Sequence, residues 1–386
     1  MRILFVADVR RDPDAGSAST ELQTIRALRE LGHAVDEVWA DEIDRRIRHG
    51  NLHYAFELPR AYWRVIREHR AHADYDVIHV NLAQCYLAAR DHKASSRHGV
   101  FVGRTHGLED NMEEHLRPFR EALGIPARRR WRGLPGRTLQ LILRRQMRLA
   151  ARHVDGYVVS CSLDREYLIS RHGMDPDRVA CIPTAPAEAF VKTPAADWSP
   201  ERSRHLLYVA GFGYVKGPHA MAAAVNALAE AGEPFRFTWL CRKTDHPKAE
   251  ALLAPAARKR TTMLDWVTQD RLRAIYDSAG VLLYPSLFDG FGNVFLEAMA
   301  RGLCVVGTPV GGMRDILRHQ TNGMLAERNS PETLLACVRR LWDDPMLAGR
   351  LSREAVKTAR DFTSKGMASE AAGFYETLLT RRRSQK

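Results

Sequence analysis

The stretch Val281–Asp315, VLLYPSLFDGFGNVFLEAMARGLCVVGTPVGGMRD, decides how this chain is built. Its opening run, Val281 to Tyr284, is apolar and predicts a buried parallel strand. Pro285 and Ser286 stop that strand, and Phe288-Asp289-Gly290-Phe291-Gly292 reads as a glycine-hinged loop. Phe295, Leu296, Met299 and Ala300 stand at helical spacing and predict a helix closing at Gly302. Leu303 to Val306 is a second strand, followed by the loop Gly307 to Gly312 and a turn from Met313. In strand–loop–helix–strand–loop units, ligands bind at the carboxyl ends of the strands.

The spacing has a chemical meaning. Asp289 lies on the loop and Glu297 in the first turns of the helix, so both face one edge. Carboxylates there accept paired hydrogen bonds from vicinal hydroxyls of a ribose or hexose. Gly311 and Gly312 allow close backbone approach, and the turn from Met313 is expected to offer free N–H groups to an anion. Either acid alone reads as an ordinary solvated residue near a helix start. The whole array describes a site for sugar hydroxyls and a diphosphate.

Working outward, the chain of 386 residues has room for two ordinary domains. Its 45% hydrophobic and 27% charged residues suit a soluble globular protein. A net charge of +12 favours anionic surroundings without choosing among nucleic acid, a membrane surface and phosphorylated substrates. The six cysteines are scattered, with no C-x-x-C, which argues against a disulfide framework or a metal site and for a reducing cytoplasm. Met1 to Ala7 is too short for a signal peptide, and no apolar run reaches the ~18 residues of a membrane span.

The first half begins with a strand, Arg2 to Ala7, a polar loop from Asp8 to Ser19 holding Gly16, a helix from Thr20 to Leu31 and a strand from Ala34 to Ala40. This is a βαβ unit with its ligand loop after the first strand, but without G-x-G-x-x-G. Val77 to Val80 and Val100 to Val102 are further strands, the latter leading into Arg104-Thr105-His106-Gly107. His106, at a strand's carboxyl end, can bond a sugar hydroxyl or move a proton. Glu109 to Arg132 lacks strand signals and is expected to be a mobile acceptor-side loop. Ala127 to Arg152 is strongly basic, with an apolar stripe of Leu139, Ile142, Leu143, Met147 and Leu149. That pattern fits either an amphipathic helix on anionic lipid or a core-packed helix with a solvated basic face. Pro183 to Arg204, with four prolines, is read as an irregular linker.

The second half restarts the plan. Leu206 to Ala210 is a strand, and Gly211-Phe212-Gly213-Tyr214-Val215-Lys216-Gly217 is a glycine-rich loop whose lysine suits a diphosphate. Phe237 to Cys241 is a strand ending at Arg242 and Lys243; Met263 to Val267 is a short one. Glu354 to Leu379 reads as one long helical tail.

The D-x7-E form from Asp289 to Glu297, followed by Ala298-Met299-Ala300, resembles the E-x7-E signature of glycosyltransferase family 4. The resemblance covers nearly the whole chain. It implies an α/β GT-B fold of two Rossmann-like domains facing across a crevice. The expected boundaries are 1–190 for the acceptor-binding domain, 204–365 for the nucleotide-sugar-binding domain and 366–386 for a final helix crossing back. By resemblance, His106 is the active-site histidine, Lys216 and Asp289 act on the leaving diphosphate and the donor sugar, and Glu297 holds the ribose. Gly16, Gly213, Gly290, Phe291, Gly292, Asn293, Gly311 and Gly312 would line the donor, with Val267 near the base. Two positions depart from the family: Asp289 stands where Glu is usual, and Gly211 stands where an arginine usually precedes the lysine by five. Arg242 is expected to supply that charge, with Lys243 as the alternative.

The function implied is a retaining, hexosyltransferase-type glycosyltransferase moving a sugar from a nucleotide-diphosphate sugar to a hydroxyl acceptor. No cofactor and no metal is expected. The acceptor is a sugar, a lipid-linked or a small molecule, in cell-surface polysaccharide or glycolipid synthesis. An anionic membrane surface is a compatible partner, at the inner face of a membrane, whereas nucleic acid is not expected. Two other readings stay open: a catalytically impaired basic protein binding nucleic acid or membrane, and a GT-B-like sugar-nucleotide epimerase.

Overall fold

The computed structural model describes residues 1–95, 98–123 and 133–384. These divide into two compact units, one of residues 1–111, 133–183 and 364–384, the other of 112–123 and 184–363. Each is organised on a six-stranded parallel sheet.

In the first unit the strands are β1 (Arg2–Val6), β2 (Ala34–Val38), β3 (Val77–Asn81), β4 (Val100–Arg104), β5 (Gly156–Val159) and β6 (Val179–Cys181), in the order β2-β1-β3-β4-β5-β6. Because strand side chains alternate, β1 feeds both faces. Leu4 and Val6 enter a core with Leu58, Tyr62, Val65 and Met147 from covering helices. Ile3 and Phe5 enter the opposite core with Ile25 and Leu28 of the Gly16–Glu30 helix and with Met367, Ala371, Tyr375 and Leu378 of the final Ser364–Ser384 helix. Near-continuous apolar strands, buried on both faces, are what a parallel sheet requires.

The second unit repeats the plan with β7 (His205–Val209), β8 (Arg236–Leu240), β9 (Thr261–Leu264), β10 (Val281–Tyr284), β11 (Cys304–Gly307) and β12 (Met324–Leu325), ordered β12-β11-β10-β7-β8-β9. Strands β10 and β7 are neighbours, Val281 opposite Leu206 and Leu282 opposite Leu207. Strand order reverses there, the place in such sheets where ligands lodge.

Several expectations need correcting. The first helix starts at Gly16, not Thr20, because the Ser19 amide already donates to Ala15 O at 2.8 Å, closing the first helical turn. Glu109–Leu116 and Phe119–Ala122 are helical rather than loop, with Glu109 and Asp110 in the first turn where acids suit the helix dipole; residues 124–132 lie outside the described ones. The basic segment forms the Gly133–His153 helix, in which Met147, Ala150 and Ala151 are buried in the first unit's core. Its stripe residues Leu139, Ile142, Leu143 and Leu149 are half-buried, so the stripe is largely packed against protein. The tail is two helices, Pro345–Arg360 and Ser364–Ser384. β9 ends at Leu264 because Asp265 Oδ1 takes the amides of Trp266 at 2.8 Å and Lys243 at 3.0 Å, which turns the chain out of the sheet.

The proline-rich stretch after Pro183, read as an irregular linker, is tethered to the second unit. It holds two short helices, Glu188–Val191 and Pro200–Ser203. Arg301, 2% exposed, donates to Phe190 O at 3.2 Å, Thr193 O at 2.8 Å and Pro194 O at 2.7 Å, and its Nε meets Asp277 Oδ1 at 2.7 Å. Arg202 Nη2 in turn donates to Arg301 O at 2.8 Å. A segment without sheet partners thereby satisfies its carbonyls with buried guanidinium groups. Arg301→Leu should cost about 3 kcal/mol by stranding these carbonyls, read as a lower urea midpoint; an unchanged midpoint would contradict the tether.

Candidate functional site

In the second unit the loops after β7 and β10 meet at the switch point. The β7 loop makes a tight turn, Tyr214–Lys216, closed by Gly217 at φ +68°, where an added Cβ would sit 2.0 Å from Pro285 O. Only glycine suits both the left-handed backbone and that contact. The turn delivers Lys216, whose Nζ donates to Asp289 Oδ2 at 2.6 Å and to the Tyr284 hydroxyl at 3.3 Å. Tyr284 in turn donates to Asp289 Oδ2 at 2.7 Å. Burial and the adjacent Asp289 carboxylate push the Tyr284 hydroxyl well above its usual range, so it remains a donor. One carboxylate oxygen thus takes both donors, and Oδ1 has no partner among the described residues.

The β10 loop is held by close backbone contacts. Gly311, at φ +53°, approaches so closely that a Cβ would lie 2.6 Å from Asp289 O, and a Cβ on Gly312 would lie 2.6 Å from the Phe291 ring. Gly290 and Phe291 are buried, and Gly292 caps the Asn293–Ala300 helix at φ +93°. Asn293 Oδ1 accepts from Thr184 Oγ1 at 2.6 Å. The expected free amides from Met313 onward are not free: Gly312 donates to Phe291 O at 3.0 Å, and Met313 and Arg314 donate to Val310 O. In this turn the Gly311 amide is left without a protein partner among the described residues.

Glu297 sits on the same helix, partly open to solvent, and accepts from the Tyr276 hydroxyl at 3.2 Å. Desolvation pushes its carboxyl up to about 7, against the pull of Tyr276. Of the remaining expected residues, Gly213 precedes the Lys216 turn in extended backbone with open space around it, Arg242 is exposed directly after β8, and Val267 lies beyond the end of β9 rather than in it.

In the first unit His106 follows β4, with Gly16 exposed at the start of the first helix. His106 Nε2 bonds Glu21 Oε1, and the same oxygen accepts from Asn81 Nδ2 at 2.7 Å. Arg104 Nη1 lies 3.6 Å from Glu21 Oε2. Burial alone would raise the Glu21 carboxyl, but Arg104 and His106 outweigh it and hold it at about 2. A cavity of about 120 Å³ is lined by the chain neighbours of His106, Thr105 and Gly107, with Tyr54, Gln84, Leu108 and Tyr167 among others, but not by His106 itself. Among the described residues no group of three or more His, Cys, Asp or Glu is placed to hold a metal ion, and no helix is long and apolar enough to cross a membrane.

Reading the residues alone missed Tyr284, Tyr276, Glu21, Asn81 and Arg104. A tyrosine closing an apolar strand, and an arginine ending V-F-V-G-R, were available signals. The Glu21–His106 pairing, 85 residues apart in sequence, was not.

A carboxyl whose folded value lies above its unfolded one binds more protons in the native state, so stability falls as pH rises. For Glu297 the window runs from its ordinary 4.5 to about 7. Glu297→Gln should therefore remove roughly 2 kcal/mol of stability loss across that window, after allowance for its open edge, in urea titrations at each pH. Parallel pH profiles for the two proteins would contradict the assignment.

Comparison with known proteins agrees with this architecture. The Glycosyltransferase Family 4 profile matches residues 16–185, and the profile "Glycosyl transferases group 1" matches residues 203–344. The D-inositol 3-phosphate glycosyltransferase of Corynebacterium efficiens is 29% identical over 231 residues, 55% of this chain and 54% of that protein. That of Corynebacterium glutamicum is 29% identical over 249 residues, 59% of this chain and 58% of that protein. The chain thus spans about half the length of the curated relatives it matches. Sucrose-phosphate synthase from Thermosynechococcus elongatus superposes with a TM-score of 0.75 at 18% identity, covering 99% of this chain and 100% of that one. Anabaena HepE in complex with UDP and glucose gives 0.69 at 15% identity, covering 98% and 100%. The first half of the chain thus matches the Glycosyltransferase Family 4 profile and the second half the group 1 profile, and its two parallel six-stranded sheets give it the GT-B glycosyltransferase fold.

Proposed function

We propose that the protein is a retaining glycosyltransferase that takes its sugar from a nucleotide-diphosphate donor held by the second unit. The observation that carries this reading is the Lys216–Tyr284–Asp289 cluster on adjacent loops at the switch point. Departure of a nucleoside diphosphate from an oxocarbenium-like sugar requires stabilised negative charge on the leaving group. Lys216 supplies that charge, and the unpartnered Gly311 amide adds a donor. Asp289 Oδ1 accepts from a sugar hydroxyl, and Glu297, once ionised, accepts from the ribose; both orient the donor. No residue is assigned as a nucleophile for double displacement. The departing phosphate takes the acceptor's proton in a front-face substitution, and no metal or cofactor is assigned.

The acceptor hydroxyl is assigned to the first unit, supported by the cavity lined by Thr105 and Gly107, on either side of His106 in the chain, together with Gln84 and tyrosines. The relatives named for D-inositol 3-phosphate bring a cyclitol phosphate into the acceptor panel, beside polysaccharide, glycolipid and small-molecule acceptors. The basic face of the Gly133–His153 helix suits an anionic inner membrane surface. Arg242 is assigned the charge that Gly211 lacks, on the strength of its exposed place after β8, next to β7.

Titration calorimetry with UDP, GDP, ADP and their sugars tests this. One nucleoside diphosphate should bind, and Lys216→Ala should weaken it about tenfold or more, the scale of a charge-assisted hydrogen bond. Tyr284→Phe should weaken the nucleotide sugar several-fold while leaving the bare diphosphate unchanged. Affinity should also rise as pH passes through about 7 in the wild type but not in Glu297→Gln. Binding of no nucleotide in the panel, or full retention of affinity by Lys216→Ala, would overturn the reading.

A further inference from the structure

The first unit buries an ionic network that the transfer chemistry above does not use. Glu21 is fully buried on the Gly16–Glu30 helix. It meets His106 Nε2 and Asn81 Nδ2 through Oε1, and Arg104 through Oε2. Arg104 is 1% exposed, and its Nε and Nη2 have no hydrogen-bond partner among the described atoms. Taking such charges out of water is costly, and apolar side chains would fill the same space at less cost. Leu28 and Ile25 already supply that helix's packing, so the charges are not there to build the core.

The network opens at one end. His106 keeps 28% of its side chain exposed, at the carboxyl end of β4, while Glu21 has none. His79, the other imidazole nearby, is engaged elsewhere: its Nδ1 pairs with the Tyr375 hydroxyl at 2.6 Å and its ring stacks on Phe5 at 4.3 Å. Burial pushes His79 down to about 3, so it stays neutral and does not compete for Glu21. An ionised carboxylate only accepts hydrogen bonds, so the His106 nitrogen facing it must carry the proton.

We propose that Glu21 is a positioning residue that fixes the Nε2-protonated tautomer of His106 and leaves Nδ1 as a hydrogen-bond acceptor for a ligand hydroxyl. Asn81 locks the shared Glu21 oxygen, and Arg104 keeps the carboxylate ionised. The proposal rests on the reading of His106 as a ligand-facing residue, and it specifies what that residue can recognise: a hydroxyl hydrogen rather than a carbonyl or phosphate oxygen.

Long-range ¹⁵N–¹H spectra of the histidine-labelled full chain, above the imidazole titration range, test the tautomer directly, with His106→Gln used for assignment. The Nε2-protonated pattern is expected; an Nδ1-protonated pattern would overturn the proposal. Glu21→Gln keeps an acceptor oxygen and should keep the pattern, whereas Glu21→Ala should mix the tautomers. Glu21→Ala should also lower kcat/KM for transfer about tenfold or more, with nucleoside diphosphate affinity unchanged and Glu21→Gln partly rescuing the rate. Glu21→Ala matching the wild type in both tautomer and rate would overturn it as well. Should Glu21→Ala not fold, the wild-type spectrum decides. Absence of any transfer by the wild type would count against the glycosyltransferase reading, while the tautomer would still decide the role of Glu21.

Discussion

Lys216 and Asp289 meet at 2.6 Å although they are 73 residues apart, and that contact depends on β7 and β10 lying side by side. A lysine and a carboxylate on two loops can share one ligand only if both loops leave the same edge of the sheet. The strand order β10-β7-β8 guarantees this. The pair also explains Tyr284: a carboxylate one methylene shorter than glutamate is held by a second donor from its own strand, 2.7 Å away. Two donors on Oδ2 restrain the carboxylate and leave Oδ1 without a partner among the described residues. Gly217 follows from the same constraint, since it lets the β7 loop's backbone lie against Pro285, while Gly311 and Gly312, after β11, lie as closely against Asp289 O and the Phe291 ring.

The first unit solves a different problem with the same sheet. Its two cores share β1, with Leu4 and Val6 on one face and Ile3 and Phe5 on the other. The second face is completed by the final Ser364–Ser384 helix, far away in sequence, which places Tyr375 against His79. β4, buried along its whole length, carries His106 directly after its carboxyl end, where it meets Glu21 of the first helix.

Much of this was legible in the sequence, for physical reasons. Parallel strands buried on both faces are continuous apolar runs, so the strands of both sheets could be read except the two-residue edge strand β12, with Val281 to Tyr284 as observed. The glycine-hinged loop and Glu297 were legible from spacing. What failed depends on hydrogen bonds that local pattern does not encode. The first helix begins on Ala15 without any side-chain cap, so Gly16 to Ser19 looked like loop residues. Asp265 ends β9 early by capturing two amides. The turn after Val310 looked like an open anion site, but Phe291 O and Val310 O occupy its amides. The irregular linker gave no sign of its tether, because Arg301, whose guanidinium ties it down, lies more than a hundred residues on. Glu21, Arg104 and Asn81 are spatial partners of His106 whose association no spacing rule predicts.

The central claim is that this chain transfers a sugar from a nucleotide donor with retention. The most direct measurement is ¹H NMR of the product formed from each nucleotide sugar with a panel of polyol, cyclitol-phosphate and glycan acceptors. The account predicts release of nucleoside diphosphate together with a glycoside whose anomeric configuration is that of the donor. A product of inverted configuration, or a 2- or 4-epimer of the donor appearing without acceptor, would contradict it.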